Sequence, residues 1–363
     1  MEEWYWRNGG YSRDSFAFKD VIDKTLACNK NSEEILINHF GRKKEDVQTV
    51  YIGVDEKLYN PDRYSKKEIL EKLNINKENK FIISYICRIS EQKRPFLLLE
   101  IIKKLKIKRN DFIVIVAGDG PLLDKMKKRA TKYKIIDNIV FLGNYTKTQE
   151  IYVISDLTIN CSIKEGVALT SYESLSMGVP VISSDVGGQR ELIDDSVGKI
   201  VKCYQEENEI KNFEYKDEEV EQYVDAIELI LDNRNLYKSA CRKKIIEKFT
   251  IDKMVKNMEN IFENVAKNPN NEKIQVGLNL NKCTDLTKEY IAQYMMLSDG
   301  EYKWLSDEFN RKNIDEVDYK YNTEDPKKAY YEQTLEYKIK HVIVVALQKI
   351  GIYEICKRLL GKE

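Results

Sequence analysis

The sequence predicts an α/β protein built on a doubly wound parallel sheet. Short apolar runs alternate with amphipathic helical stretches from residue 81 to residue 201, and this alternation places parallel strands under helices on both faces. Three more helical stretches follow before the composition turns polar at Asn268-Pro-Asn-Asn-Glu, which is typical of a linker. With 363 residues, the chain has room for flanking segments, so we divide it into residues 1–58, 59–267 and 268–363.

The individual elements follow from apolar periodicity and from the residues that start and stop helices. The predicted strands are residues 23–29, 47–52, 81–87, 112–117, 139–142, 157–161, 179–183 and 198–201. The predicted helices are residues 32–41, 95–107, 121–133, 146–154, 168–178, 217–231, 235–249 and 252–266. Pro95 and Pro121 suit the first turn of a helix, where a missing N–H costs nothing. Thr146 and Gln149 have the spacing of a capping box.

Composition and charge exclude several classes of protein. Lysine and arginine together number 60, as do aspartate and glutamate, so the balanced charge gives no indication of a nucleic-acid partner. Seven cysteines are scattered without a Cys-x-x-Cys pair, which predicts buried thiols in a reducing compartment and neither a zinc site nor a disulfide framework. The N-terminus is acidic where a signal peptide is basic, and no apolar run approaches the roughly 20 residues of a membrane-spanning helix. We therefore expect a cytoplasmic protein, or one resting on the inner face of the cell membrane.

Residues 268–363 are predicted to be largely helical. Residues 284–298 and 301–313 have helical patterns, and residues 335–361 form an amphipathic one. Its apolar positions are Ile339, Val342, Ile343, Ala346, Ile350, Tyr353, Leu359 and Leu360. The basic residues in and beside it are Lys338, Lys340, Lys349, Lys357, Arg358 and Lys362. Such a helix suits an anionic membrane surface, and it suits packing on the body of the protein or on a partner equally well.

The stretch from residue 162 to residue 193 is the most informative. Glu165 and Glu173 stand eight positions apart, Gly166 follows the first of them, and helical spacing begins near Ala168. This puts Glu165 before the helix N-terminus and Glu173 about two turns along the helix. Backbone N–H groups at a helix start suit a phosphate, and a nearby carboxylate suits a sugar diol. The spacing alone indicates a nucleotide-linked ligand about as well as it indicates a surface helix with two solvated glutamates.

Two cations and a glycine turn occupy other predicted strand ends. Arg88 lies just past the strand that ends at residue 87, and Lys93 follows in the loop before the next helix. Doubly wound sheets bind ligands at the carboxyl ends of their strands, where a guanidinium fork and an ammonium suit a diphosphate. Either cation alone is usually a solvated surface charge. Gly118-Asp119-Gly120 forms a strand-to-helix turn, and this pattern is also typical of an ordinary connection.

Glu165, seven intervening residues and Glu173, followed by Met-Gly-Val-Pro-Val-Ile, resemble the signature of retaining nucleotide-sugar glycosyltransferases of the GT-B fold, family four (group 1). The resemblance extends from Val21 to Ala266, with several motifs in the family's order. It implies that residues 59–267 are the Rossmann-like, nucleotide-sugar-binding C-terminal domain of that fold. It also implies that residues 1–58, which end in Gly53-Val54-Asp55, are a remnant of the N-terminal domain. We therefore expect a chain that lacks most of that domain, through truncation or a split gene.

The resemblance also assigns roles to residues. Arg88 and Lys93 match the family's Gly-Arg-(x)4-Lys element, with Cys87 in place of the glycine, and would bind the diphosphate leaving group. Glu165 matches the glutamate beside the donor sugar, and Glu173 matches the one that holds the ribose hydroxyls. The other donor-binding positions that the resemblance implies are Gly118, Gly120, Leu142, Gly143, Asn144, Gly166, Val167, Ala168 and Leu169. Residues 166–168 read Gly-Val-Ala where the family often has Gly-Phe-Gly or Gly-Leu-Pro, and residues 142–144 would touch the base through backbone atoms.

The activity that the resemblance implies is retaining glycosyl transfer from a UDP- or GDP-sugar to a glycan or lipid-linked acceptor, in cell-surface polysaccharide synthesis. Glu165, Arg88 and Lys93 would carry the chemistry, because the cations and the helix end stabilise the departing diphosphate without a metal or another cofactor. No residue is assigned as general base, and both histidines, His39 and His341, lie outside the motifs. The alternative is a non-catalytic nucleotide-sugar-binding subunit that needs a separate N-terminal acceptor-binding domain. A dehydrogenase is disfavoured because no Gly-x-Gly-x-x-Gly fingerprint follows a strand.

Overall fold

A computed structural model of the chain describes residue 19 and residues 22–77, 79–206 and 214–269. The predicted helices at 284–298 and 301–313 and the basic amphipathic stretch at 335–361 lie outside the described residues. Within the described residues the chain forms eight strands and ten α-helices. The strands are β1 (Thr25–Ala27), β2 (Val47–Thr49), β3 (Phe81–Ile86), β4 (Phe112–Ala117), β5 (Ile139–Gly143), β6 (Leu157–Asn160), β7 (Val181–Ser184) and β8 (Gly198–Val201). The helices are α1 (Lys30–Asn38), α2 (Lys66–Lys72), α3 (Pro95–Lys108), α4 (Leu123–Lys132), α5 (Thr148–Ile154), α6 (Leu169–Ser176), α7 (Gln189–Leu192), α8 (Asp217–Asp232), α9 (Arg234–Lys248) and α10 (Ile251–Lys267).

Six strands form one parallel sheet in the order β5-β4-β3-β6-β7-β8, which confirms the predicted doubly wound fold. The strand β3 pairs with β4 on one side and with β6 on the other, so the order reverses between β3 and β6. The buried hydroxyl of Ser84 lies 2.8 Å from that of Thr158 across this pair. A crevice opens outside the carboxyl ends of the strands at such a reversal, and it is where doubly wound sheets bind ligands.

Both faces of the sheet are covered, which explains the continuous apolar runs. Every residue of β4 is buried, as expected of a strand with helices on both sides. Alternate residues of β3 join different cores because successive side chains point to opposite faces. Ile83 and Tyr85 pack in the core that contains residues of α3 and α8, whereas Ile82 and Ile86 pack in the core that contains residues of α5.

Residues 22–54 form a smaller α/β segment. Strands β1 and β2 pair in parallel, and α1 connects them over a small core of Ala27, Leu36, Phe40 and Val47. The segment ends where Val54 forms a parallel bridge with Thr250. A side chain on Gly53 would place its Cβ 2.6 Å from the Thr250 carbonyl oxygen. The predicted Gly-Val-Asp junction therefore needs its glycine for a close approach to the turn before α10.

Several predicted helix starts were wrong. Helix α4 begins at Leu123, so Pro121 lies before the helix, because the N–H of Leu122 is bound to the Ile89 carbonyl at 3.1 Å in a turn. Helix α5 begins at Thr148 with Lys147 as its N-cap and no side-chain cap. The predicted capping box of Thr146 and Gln149 is therefore absent.

Two more corrections concern α1 and α6. Helix α1 begins at Lys30, earlier than predicted, because Asn29 caps it by accepting a hydrogen bond from the Ser32 N–H at 2.6 Å. Helix α6 begins at Leu169, which places Glu173 little more than one turn along it and not two. The other predicted elements from β3 to α10 begin and end within two residues of their predicted bounds, whereas α2 and α7 were not predicted.

Candidate functional site

The glycine turn after β4 supports the loop that carries Arg88. A Cβ on Gly118 would lie 1.8 Å from the Cys87 carbonyl oxygen, and a Cβ on Gly120 would lie 2.4 Å from that of Ile89. Both glycines have positive φ angles, +143° and +158°, which side chains rarely allow. Two hydrogen bonds also join the loops, because the Ile89 N–H donates to the Asp119 carbonyl at 2.9 Å and the Leu122 N–H to that of Ile89 at 3.1 Å. The residues on both sides of Arg88 are thus held by the turn.

Arg88 is the accessible cation of the predicted pair. Its side chain is exposed and makes no hydrogen bond or ion pair with the described residues. Lys93 is only 20% exposed and is ion-paired with the Oε1 atom of Glu165. The Ser162 hydroxyl donates to the same oxygen at 2.6 Å. The structure therefore brings Lys93 and Glu165 together across the reversal of strand order, since one follows β3 and the other follows β6.

The loop from Glu165 to Leu169 packs on a second glycine pair. A Cβ on Gly187, whose φ is +53°, would lie 1.8 Å from the Glu165 carbonyl oxygen. The Gly166 carbonyl accepts from the Gly188 N–H at 2.7 Å and from Asn29 Nδ2 at 3.0 Å. Sequence reasoning missed this support. The Gly-Gly pair after β7 could have been noticed, but Asn29 lies 137 residues away and carries no local signal.

The N-terminus of α6 presents free backbone donors. The N–H groups of Val167, Ala168 and Leu169 have no hydrogen-bond acceptor within the described residues, and the N-cap position, Ala168, supplies no side-chain cap. Val167 and Ala168 are buried, whereas the Leu169 side chain is 55% exposed. Three successive free N–H groups at a helix start are suited to binding an anion.

Glu173 lies in a separate polar cluster beside α5. Its Oε2 atom accepts hydrogen bonds from the Tyr152 hydroxyl at 3.0 Å and from the Thr148 hydroxyl at 3.4 Å. The Tyr59 hydroxyl lies 3.0 Å from that of Thr148. Burial raises the pKa of the Glu173 carboxyl, and the hydrogen bonds from these three hydroxyl groups oppose that shift. Within the described residues, Glu173 shares no hydrogen-bond partner with Glu165.

The loop after β5 is tied to the loop after β4. The Gly143 carbonyl accepts from the N–H groups of Gly118 at 2.7 Å and Tyr145 at 2.8 Å. Gly143 itself has a φ of +62°. Leu142 packs against the core that contains residues of α5, whereas Asn144 is exposed. The loops after β5, β4, β3, β6 and β7 therefore form one contiguous row of contacts along the carboxyl edge of the sheet.

A buried arginine next to Lys93 was not predicted. Arg94 is 1% exposed, and its guanidinium donates to the Glu219 carboxylate of α8 at 2.8 Å. It also donates to the Cys161 carbonyl and to the Ser184 hydroxyl. In the sequence Arg94 is one more cation beside Lys93, and its partners lie between 67 and 125 residues further along the chain.

Neither a metal cluster nor a membrane span is found in the described part of the chain. No group of three or more histidine, cysteine, aspartate or glutamate side chains there could hold a metal ion. No helix there is both long enough and apolar enough to cross a bilayer.

Comparison with known proteins gives a consistent family match. The model of the family described as "Glycosyl transferases group 1" matches residues 65–248. The chain is 25% identical over 250 residues to an Escherichia coli protein, UDP-Gal:alpha-D-GlcNAc-diphosphoundecaprenol alpha-1,3-galactosyltransferase, covering 67% of this chain and 61% of that protein. It is 26% identical over 240 residues to the N-acetyl-alpha-D-glucosaminyl L-malate synthase of Bacillus anthracis, covering 64% of this chain and 58% of that protein. The chain thus spans less than two thirds of the length of these curated relatives.

Solved structures support the fold. A glycosyltransferase from Rickettsia africae ESF-5 matches with a TM-score of 0.61 and 22% identity, over 72% of this chain and 69% of that one. Anabaena HepE, solved in complex with UDP, matches with a TM-score of 0.57 and 16% identity, over 67% of this chain and 64% of that one. Because the identities are low, these matches establish the fold alone, which is the Rossmann-like fold of the C-terminal GT-B domain.

Proposed function

We propose, because the chain belongs to the group 1 glycosyl transferases, that it transfers a sugar with retention from a nucleotide diphosphate to an acceptor. One observation carries the proposal. Three features lie on contiguous loops outside the reversal of strand order: the exposed Arg88, the Lys93–Glu165 pair, and the N–H groups of residues 167–169. Among the residues that the structure describes, neither the Arg88 side chain nor these N–H groups have a hydrogen-bond partner. This arrangement offers positive charge and backbone donors to a diphosphate, with a carboxylate beside them.

In this proposal the diphosphate is the leaving group. Breaking the sugar–phosphate bond builds negative charge on the nucleotide, which preorganised donors stabilise. Each charged hydrogen bond contributes about 1.5–3 kcal/mol, and the dipole of α6 contributes up to about 2 kcal/mol. Together they supply part of an enzymatic acceleration of about 8–23 kcal/mol. Acceptor positioning and closure around the substrates would supply the rest, and neither a metal nor another cofactor enters the proposal.

The Lys93–Glu165 pair is compatible with both proposed roles. A lysine ammonium has three donors, and Glu165 engages one of them, so two are left for a β-phosphate. The same contact keeps the Glu165 carboxylate beside the place where the donor sugar would sit. We assign Glu165 to that sugar and Glu173 to the ribose, whose hydroxyls suit a partly buried carboxylate.

Donor, acceptor and location are further parts of the proposal. The Escherichia coli relative is named for a UDP-galactose donor and a diphosphoundecaprenol-linked acceptor, which favours a UDP-sugar and a lipid-linked glycan here. Such an acceptor would place the protein on the inner face of the membrane, in cell-surface polysaccharide synthesis. The alternative is a non-catalytic nucleotide-sugar-binding subunit that acts together with a separate acceptor-binding domain.

Calorimetry with UDP and GDP tests the donor site. Arg88→Ala should weaken binding of the preferred nucleotide by about 1–3 kcal/mol, because a charged hydrogen bond to phosphate is lost. Arg63→Ala is a matched control, since Arg63 is also exposed and donates to the Lys57 carbonyl before α2. The control should bind like the wild type. Equal affinities for the wild type and Arg88→Ala, or a wild type that binds neither nucleotide, would contradict the proposal.

A further inference from the structure

We propose that Arg94 is a positioning residue of the donor site, whose buried guanidinium holds the loop of Lys93 against the loop of Glu165. The inference rests on the function proposed above for the assignment of that site. The positioning role goes beyond the proposed function because it assigns a task to a residue that touches neither donor nor acceptor. Its evidence is the backbone conformation of Arg94, its three bonds, and the chain of contacts from those bonds to Glu165.

The backbone at Arg94 is unusual for a residue with a side chain. Its φ and ψ are 51° and 55°, in the left-handed region, which costs energy for any residue except glycine. The position lies between Lys93 and Pro95, the first residue of α3. Such a conformation persists where the surroundings hold it, and here the side chain supplies the hold.

The guanidinium of Arg94 joins three elements. Its Nε donates to the Cys161 carbonyl at the end of β6, and one terminal nitrogen donates to the Ser184 hydroxyl at the end of β7, at 3.1 Å. The other terminal nitrogen donates to Glu219 in the first turn of α8, at 2.8 Å, and both side chains of this pair are 0% exposed. The rigid, planar fork of arginine directs donors from separate nitrogens to these three partners at once, whereas the three donors of a lysine all sit on one nitrogen.

Continuous hydrogen bonds lead from these partners to Glu165. The Asn160 side-chain oxygen accepts from the Ser162 N–H at 3.0 Å and lies 2.7 Å from the Ser162 hydroxyl oxygen. The Ser162 hydroxyl lies 2.6 Å from Glu165, and the Asn160 carbonyl accepts from the Tyr223 hydroxyl at 3.1 Å. That hydroxyl lies 3.1 Å from the Ser184 hydroxyl, which Arg94 engages.

A second set of bonds joins the same two loops directly. The Gln92 carbonyl accepts from the Ile163 N–H at 2.9 Å, and the Gln92 side chain donates to the Lys164 carbonyl at 3.0 Å. Hydrogen bonds and the Lys93–Glu165 ion pair therefore link residues 92–94 to residues 161–165 at several positions. Arg94 lies at the inner end of this contact, and the Lys93–Glu165 pair lies beside it.

Stability alone does not explain a buried ion pair in this place. Replacing such a pair with apolar residues of similar volume is often neutral or stabilising. Burial lowers the pKa of Arg94, but the groups that face the guanidinium, Glu219 first among them, together raise it, and the net shift is upward. The guanidinium thus keeps its charge, its full donor set and its geometry, which are the properties that a positioning role requires.

The test replaces the pair without leaving a buried charge. Arg94→Met combined with Glu219→Leu keeps the volume and removes the fork, so the melting temperature should stay near the wild-type value. The amides of Ser162 and Ile163 should exchange with solvent at least about tenfold faster without ligand, and UDP should bind at least about fivefold more weakly. Lys104→Met with Glu221→Leu is the control, because that pair joins the same helices α3 and α8 at 2.9 Å on the surface. It should change neither readout.

The outcomes separate this inference from the proposed function. Unchanged exchange at Ser162 and Ile163 in a folded double variant overturns the positioning role, whether or not UDP binds. A wild type that fails to bind UDP overturns the proposed function and leaves the exchange measurement decisive for Arg94. If the double variant does not fold, Arg94→Lys keeps the charge beside Glu219 but loses the fork. Wild-type exchange and affinity in that variant would also overturn the inference.

Discussion

At the scale of single residues, the surroundings of a charge decide what it can do. Arg88 and Lys93 look alike in the sequence, but Arg88 is exposed and has no ion-pair partner in the described part of the chain, while Lys93 is paired with Glu165. Position next to a strand end predicts which residues reach the carboxyl edge, because the sheet geometry follows from the apolar runs. Position does not predict pairs between loops 72 residues apart. For that reason Arg94 and Asn29 could not be identified from the sequence.

The raised pKa of Glu173 predicts a pH-dependent stability. Burial raises its pKa in the folded protein, so between the unfolded and folded pKa values the folded state binds more protons than the unfolded state. Stability therefore falls as the pH rises from about 4.3, the ordinary glutamate pKa, through the folded value. Glu173→Gln has no carboxyl group to ionise at this position, so it does not lose stability in this way. Its melting temperature should exceed that of the wild type at pH 7, by a margin that shrinks towards pH 4.

The same variant should bind UDP more weakly, since a neutral amide replaces a carboxylate. We expect a loss of about 1 kcal/mol, the difference between a charged and a neutral hydrogen bond. Glu259→Gln, on the exposed face of α10, controls for a general charge effect and should change neither property. If Glu173→Gln and the wild type had the same melting curve at every pH, the buried carboxylate could not be the cause of the pH-dependent stability.

At the scale of elements, the sequence predicted the sheet better than the turns. Apolar runs fixed the strands from β3 to β8 because strands buried on both faces leave a strong and continuous pattern. Helix starts were less predictable, since tertiary bonds compete for the same N–H groups. Leu122 binds Ile89 in place of starting a helix, and the Thr148 hydroxyl lies beside those of Tyr59 and Tyr152 around Glu173.

Two glycines of the edge loops should respond differently to alanine. Gly118→Ala combines a positive φ with a Cβ placed 1.8 Å from a carbonyl oxygen, so it should lower the free energy of unfolding by about 3 kcal/mol or more. Gly143→Ala also has a positive φ, but its Cβ would meet no atom of the described residues within 4 Å, so it should cost only about 1–2 kcal/mol. Urea denaturation measures both. Equal costs would show that the close approach to Cys87 relaxes easily and does not fix the Arg88 loop.

At the scale of the whole molecule, residues 22–54 are bound to the loops of the proposed donor site as well as to the chain that follows them. Their two-stranded parallel sheet is unusual by itself, because parallel strands normally occur in larger sheets covered on both faces. Asn29 bonds to Gly166, and the backbone around Val54 pairs with that of residues 249–251. The family resemblance predicts that residues 1–58 are a remnant of the N-terminal domain of the GT-B fold. These contacts between segments could not be predicted, since they join residues more than 130 positions apart.

Glu191 of α7 makes several further contacts with residues 22–54. Its carboxylate accepts from the Lys30 N–H at 2.9 Å and the Asn31 N–H at 3.2 Å, at the start of α1, and from the Tyr51 hydroxyl at 2.8 Å. Burial, followed by the hydrogen bond to this carboxylate, raises the pKa of Tyr51 to about 12, so Tyr51 remains a donor at neutral pH. A carboxylate at a helix N-terminus satisfies free N–H groups and complements the helix dipole.

Glu191→Gln should therefore lower the local stability of residues 22–54 and leave that of the six-stranded sheet unchanged. A capping interaction contributes about 0.5–2 kcal/mol, so amides of α1 should exchange about two- to thirtyfold faster while those of β4 keep their wild-type rates. Because Asn29 at the start of α1 also holds the Gly166 carbonyl, the Gly188 amide, which shares that acceptor, should exchange faster as well. Faster exchange in α1 with an unchanged Gly188 amide would mean that the stability of residues 22–54 does not affect the loop around Gly166 and Gly188. Unchanged exchange in α1 would contradict the capping role itself.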